Sequence, residues 1–119
     1  MGVCYVNVYD NEKLSSFDSE FLAIIGTDTV VHKVAIDLGV VPIDTYVDYV
    51  ADNENRTYHN PTDALGSVEQ ILKTCFSLPE ERFAADGGKE RVLMELEGLK
   101  SVICTAADAD AGFALAMFL

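Results

Sequence analysis

The fold is decided by residues 87–119, which read GGKERVLMELEGLKSVICTAADADAGFALAMFL. Between Lys89 and Ala107 the apolar residues recur at steps of three and four, which is the period of one face of an α-helix. This apolar stripe consists of Val92, Leu96, Leu99, Ile103 and Ala106. The charged residues of the segment, Glu95 among them, are expected on the opposite, solvent-facing side.

Two apolar strands are predicted at opposite ends of the sequence. The run from Phe113 to Leu119 is apolar on both of its faces, which is typical of a strand covered on both sides. Residues Gly2 to Tyr9 form the second strand, with valines alternating along it. Because both strands need apolar cover, we expect them to pair in one sheet with helices packed against it.

Helices are predicted for most of the remaining chain. Asn60 and Pro61 give the clearest start signal, a cap residue followed by proline at the first helical position, and this helix is expected to reach about Phe76. Pro79 to Phe83 is expected to add one turn. Two further helices are predicted at Phe17 to Ile25 and from Asp44 to Ala51.

The secondary structure of one segment, Thr29 to Leu38, is predicted as either helix or strand. Its apolar spacing is helical and favours a helix that ends at Gly39, while its β-branched residues also suit a strand. The predicted class is therefore α+β: a small sheet containing the N- and C-terminal strands, and a third if this segment is extended. About four or five helices cover it, and residues 1–119 form a single domain.

Charge restricts the kind of partner. The chain has 20 acidic and 8 basic residues, a formal net charge of −12. So negative a protein repels nucleic acids and anionic membranes, and it favours a basic protein as a charged partner. The three cysteines are too few for a disulfide framework, and neither a signal peptide nor a membrane span is visible. These features predict a cytoplasmic protein.

The candidate partner-binding residues lie between Asp44 and Asp52. Asp44, Asp48 and Asp52 are spaced four apart, which would stack them on one face of the predicted helix. Tyr46 and Tyr49 flank that face, and tyrosine is enriched at binding surfaces. The alternatives are a solvated acidic face and half-buried packing tyrosines.

No catalytic, cofactor-binding or metal-binding residue is assigned. Common nucleotide, metal and hydrolase motifs do not occur in the sequence. Residues 108–112 are similar to a calcium loop, but the glycine comes one position early and no closing glutamate follows, so we predict a turn from helix to strand. His59 is expected to be exposed, and His32 to be partly buried and hydrogen-bonded.

Two resemblances to known families appear. Residues 1–14 (MGVCYVNVYDNEKL) and the stretch beginning MELEGLKSVI at Met94 resemble the YfbM-like small bacterial proteins of unknown function. Residues 91–94 (RVLM) and 108–114 (DADAGFA) resemble the late strands of roadblock-type domains, which would imply two strands where the apolar spacing predicts the last helix. Neither resemblance implies a function for particular residues.

Three hypotheses about function follow. The first is a non-enzymatic protein that binds a basic protein partner, for example by neutralising a toxin or by mimicking nucleic acid. The second is a small ligand-binding domain or enzyme with a pocket between sheet and helices, so enzymatic activity stays open. The third is a structural homo-oligomer, which would expose apolar surface on the single chain.

Overall fold

The two predicted end strands pair at the centre of a four-stranded sheet. The computed structural model describes residues 4–48 and 56–118. Strand β1 (Cys4–Tyr9) runs antiparallel to β4 (Phe113–Phe118), in continuous register from Cys4 opposite Phe118 to Tyr9 opposite Phe113. Two short edge strands, β2 (Glu20–Phe21) and β3 (Val47–Asp48), complete the order β2-β1-β4-β3. The α+β prediction, with both end strands in one sheet, is confirmed.

Edge strand β2 (Glu20–Phe21) lies where a helix was predicted, so the helix at Phe17–Ile25 is wrong. The cause is Asn7, which is buried on β1. Its side-chain amide donates to the carbonyl oxygen of Ser15 (3.1 Å), and its carbonyl oxygen accepts from the backbone N–H of Ser19 (2.8 Å). These bonds hold the segment along the edge of β1 and replace helical hydrogen bonds.

The helix predicted from Asp44 to Ala51 is also wrong over its described part. A 3₁₀ helix, Ile43–Tyr46, is followed directly by β3 (Val47–Asp48), which pairs in parallel with β4 opposite Leu115 and Ala116. Sheet pairing therefore draws the backbone into an extended conformation at the position where the helix would have continued. Residues 49–51 of the predicted helix lie outside the described residues.

Local start and stop signals place the helices correctly. Helix α1 (Val30–Leu38) confirms the helical alternative, with Thr29 Oγ1 accepting from the N–H of His32 and with Gly39 in the left-handed conformation. Helix α2 (Pro61–Ser77) is capped by the Asn60 side chain. A second 3₁₀ helix (Glu80–Asp86) follows and extends beyond the single turn predicted at Pro79 to Phe83. Helix α3 (Lys89–Asp108) is as predicted.

The core lies between the sheet and these helices, and the α3 stripe belongs to it. All five predicted stripe residues are buried, together with Phe113 and Leu115 from β4. Glu95 was expected on the solvent side and instead is 5% exposed. Its carboxylate accepts from the backbone N–H groups of Leu22 and Ala23, at 2.8 Å each, and this bonding explains its burial. In the described ranges, no helix combines the length and the apolarity needed to cross a bilayer.

Candidate partner-binding surface

Asp44 is engaged by a histidine of the neighbouring helix. Its Oδ1 lies 2.9 Å from Nδ1 of His32, and both side chains are partly exposed. The pair ties α1 to the 3₁₀ helix that begins at Ile43. The prediction of a partly buried, hydrogen-bonded His32 is confirmed, and Asp44 keeps only part of its surface for a partner.

Tyr46 is part of the core. Its ring is buried and packs edge-on against His59 at 5.2 Å between centroids, and against Phe113 at 5.3 Å. Burial raises the pKa of Tyr46, and a hydrogen bond with Ser67 partly opposes that rise. Tyr46 therefore holds β4 to the segment before α2, in agreement with the packing alternative for the tyrosines.

Asp48 is also buried. Its Oδ2 accepts from the backbone N–H of Thr57 at 3.0 Å and lies 3.7 Å from Nε of Arg56, whose side chain is equally enclosed. This carboxylate anchors the chain as it returns towards α2. The other two predicted binding residues, Tyr49 and Asp52, lie outside the described residues.

A different tyrosine lies at the centre of an acidic surface. Tyr58 packs on the sheet face formed by Val6, Val8 and Ala116. Two adjoining grooves, of about 320 and 580 Å³, meet at Tyr58 and Asp10, which line both of them. We call this the Tyr58 surface and define it by Asp10, Glu12, Phe17, Tyr58 and Asp110.

The backbone brings three carboxylates to this surface from two ends of the sequence. Asp10 follows β1, and its N–H donates to the carbonyl oxygen of Gly112 at 3.0 Å, beside Asp110. Asp10, Glu12 and Asp110 are all exposed. Within the described residues, neither groove is lined by a lysine or an arginine. The charged side chains that line the described grooves are therefore acidic, which favours a cationic ligand.

Asp110 occupies an unfavourable backbone position. It follows the end of α3 with φ +52°, and the N–H groups of Asp110 and Ala111 donate to the carbonyls of Ala107 and Ala106. This is a Schellman motif, in which glycine is the usual residue at the left-handed position. The predicted helix-to-strand turn is confirmed here, and a carboxylate at a helix C-terminus also opposes the helix dipole.

An exposed aromatic side chain completes the Tyr58 surface. Phe17 is 56% exposed and has φ +70°, a conformation that bulky residues rarely adopt. Its N–H donates to the carbonyl of Asn7 at 2.8 Å, which fixes the turn. The Tyr58 surface thus combines carboxylates with two aromatic rings, a composition suited to cationic side chains.

His59 adjoins this surface and adds no positive charge at neutral pH. It is half-buried, contrary to the expected exposure, because its backbone forms a two-hydrogen-bond bridge with Phe113. Desolvation lowers the pKa of His59 below its usual 6.5, and the negative charge of Asp48 opposes this shift. The imidazole therefore leaves the carboxylates unneutralised above pH 7.

The described residues form one small pocket between the sheet and a helix. A pocket of about 200 Å³ lies between β1 and α3, lined by polar residues that include Asn7, Ser19 and Thr105. Typical small-molecule pockets are larger, about 300–1,000 Å³, and mostly apolar. Among the residues that the structure describes, no group of three or more His, Cys, Asp or Glu side chains is placed to hold a metal ion.

Comparison with known proteins finds no relative of this chain. No protein-family model, curated protein or solved structure matches this chain. The resemblances to YfbM-like and roadblock-type proteins therefore stay predictions.

Sequence reasoning missed Asp10, Glu12 and Asp110 as a group, although a signal was present. The two end strands were predicted to pair, and an antiparallel pairing brings the residue after β1 next to the residues before β4. Asp10 and Asp110 are therefore brought together at one end of the central strand pair. Helical spacing drew attention to Asp44 and Asp48 instead, in a segment that is not an α-helix.

Proposed function

We propose that this chain is a non-enzymatic acidic protein that binds a basic protein partner through the Tyr58 surface. The observation that carries the proposal is the arrangement of three exposed carboxylates around an aromatic centre, with no lysine or arginine lining the grooves among the described residues. The formal charge of −12 supports it, because the field of the whole molecule attracts a cationic partner.

The chemistry of the surface favours arginine on the partner. A guanidinium can donate two parallel hydrogen bonds to a carboxylate such as Asp10 while its plane stacks on Tyr58 or Phe17. The grooves of about 320 and 580 Å³ are large enough to accept side chains from one partner segment on both sides of Tyr58. A loop or helix with two or more arginines is therefore the expected ligand.

The test compares two variants that change the net charge equally. In the surface variant, Asp10→Asn, Glu12→Gln and Asp110→Asn neutralise the Tyr58 surface. In the control variant, Asp28→Asn, Asp37→Asn and Glu81→Gln neutralise three carboxylates that are exposed elsewhere. Immobilised wild type and both variants are used to capture proteins from the source cell, and each bound protein is then titrated in purified form.

We expect one basic protein to bind wild type and control alike, and to bind the surface variant at least about tenfold more weakly. Binding should weaken as salt rises, since the contacts are largely between exposed charges. Equal losses in both variants would show that only the total charge matters, and capture of no basic protein at low salt would refute the proposal.

A further inference from the structure

An apolar groove, in contrast to the charged Tyr58 surface, lies between α2 and α3. It measures about 730 Å³ and contains Leu72, Phe76 and Leu93. Phe76 is 69% exposed, an unusual degree for a phenylalanine on a helix whose other face is core. Four charged residues share the lining: Glu69, Lys73, Glu97 and Lys100. We call this the helix groove.

Unlike the Tyr58 surface, the helix groove is electrically balanced. Two lysines offset two glutamates there, although acidic residues outnumber basic ones 20 to 8 in the chain. In the described part of the chain, none of these four side chains forms an ion pair within 4 Å. An acidic molecule can approach a second copy of itself most easily at such a balanced, apolar face.

The positions of the charges make the groove self-complementary. Helix α3 begins where α2 ends, since Lys89 Nζ donates to the carbonyl of Phe76, so the two helices run in opposite directions. Along the groove, the lining passes Phe76, Lys73 and Glu69 on α2 in the same order as Leu93, Glu97 and Lys100 on α3. Lys73 and Glu97 therefore take corresponding positions in the lining, as do Glu69 and Lys100. Each helix therefore presents one acid and one base to whatever covers the groove.

We propose that the helix groove is the interface of a homodimer with a two-fold axis that runs along it. That symmetry places α2 of one copy over α3 of the other. Lys73 then faces Glu97 of the second copy and Glu69 faces Lys100, while Phe76 packs against the apolar residues of the opposite groove. A two-fold interface uses the same patch twice, as this arrangement requires.

The size of the face predicts a weak dimer. Helix α2 has 17 residues and is thus about 25 Å long, and two packed helices present a face about 20 Å wide. Each protomer would bury on the order of 500 Å², close to the lower limit for specific interfaces. Repulsion between two acidic chains weakens association further at low salt, so added salt should strengthen the dimer.

The experiment is sedimentation velocity of the full chain from about 5 to 500 µM, at low and at high salt, a range set by the small interface. We expect a monomer–dimer equilibrium that shifts towards dimer at high salt. Phe76→Asp should weaken it at least about tenfold. Ile36→Asp is the control, because Ile36 is 58% exposed on α1 and does not line the groove.

A charge exchange tests the pairing itself. Lys73→Glu alone and Glu97→Lys alone should each weaken the dimer, and the double variant should return to within about threefold of wild type. A monomer throughout the range, a dimer unaffected by Phe76→Asp, or a groove occupied by a co-purified ligand or a different protein would overturn the proposal. Partner binding at the Tyr58 surface is separable, since it should persist in Phe76→Asp and should fall with salt.

Discussion

Replacement of Glu95 by alanine is expected to lower the free energy of unfolding by about 3–5 kcal/mol. Glu95 is 5% exposed, and its Oε1 accepts from the N–H groups of Leu22 and Ala23 at 2.8 Å each. A hydrogen bond to a charged group contributes about 1.5–3 kcal/mol, and alanine leaves both donors without this acceptor. The second oxygen accepts from Arg91 Nε at 2.6 Å, but Arg91 is 44% exposed, so water screens its ion pair and the pair adds little.

The assay is urea unfolding of the wild type and of three variants. Glu95→Gln keeps an oxygen that can accept both N–H groups and should lose only about 1–2 kcal/mol, the part that depends on charge. Arg91→Ala should change stability by less than about 1 kcal/mol. Ser101→Ala, an exposed position on the same helix, should stay within about 0.5 kcal/mol of wild type.

These outcomes separate the buried acceptor from the ion pair. If Glu95→Ala cost less than about 1 kcal/mol, the carboxylate would not be holding residues 22 and 23 against α3. If Arg91→Ala cost as much as Glu95→Ala, the energy would lie in the ion pair and the reasoning from the two N–H groups would be refuted.

Four other results are expected. Gly112→Ala should destabilise the protein by about 1–3 kcal/mol in urea unfolding, because its Cβ would lie 2.8 Å from the Cβ of Tyr58. Asp110→Gly should raise the melting temperature, with a gain of about 0.5–1 kcal/mol, since glycine adopts φ +52° without strain; an unchanged or lower value would contradict this. Cys75 should be alkylated last of the three cysteines in the native protein at pH 8, as followed by mass spectrometry, because burial raises the pKa of its thiol to about 11. The lowered pKa of His59 means that the folded state favours the neutral imidazole. Its contribution to the free energy of unfolding is therefore present above pH 6.5 and is lost on acidification. In His59→Gln, the free energy of unfolding measured between pH 7.5 and 5.5 should depend less on pH.

Local signals in the sequence were enough to place the main elements. Asn60 caps α2 and Pro61 occupies its first position, as their residue types predict. The same holds for Thr29 and Gly39 at the two ends of α1. These interactions reach at most four residues along the chain, so they can be recognised without knowing the fold.

The errors come from interactions between distant residues. Asn7 forms hydrogen bonds with residues 15 and 19 and thereby prevents a helix that caps alone would favour. Glu95 accepts from residues 22 and 23, more than seventy positions away, so a charged residue on the polar side of a helical pattern becomes buried. Hydrophobic periodicity contains no information about such partners. The helix predicted from Asp44 was wrong for the same reason, because β4 draws Asp48 into the sheet.

The two proposed surfaces differ in how many basic residues they contain. Three of the eight basic residues serve the chain itself: Arg56 beside Asp48, Lys89 on the carbonyls that end α2, and Arg91 on Glu95. Lys73 and Lys100 lie in the helix groove. Among the described residues, no lysine or arginine lines the grooves at Tyr58, and the two proposals predict opposite responses to salt. Screening weakens the attraction of a basic partner and relieves the repulsion between two acidic copies, so a salt titration of the wild type tests both assignments at once.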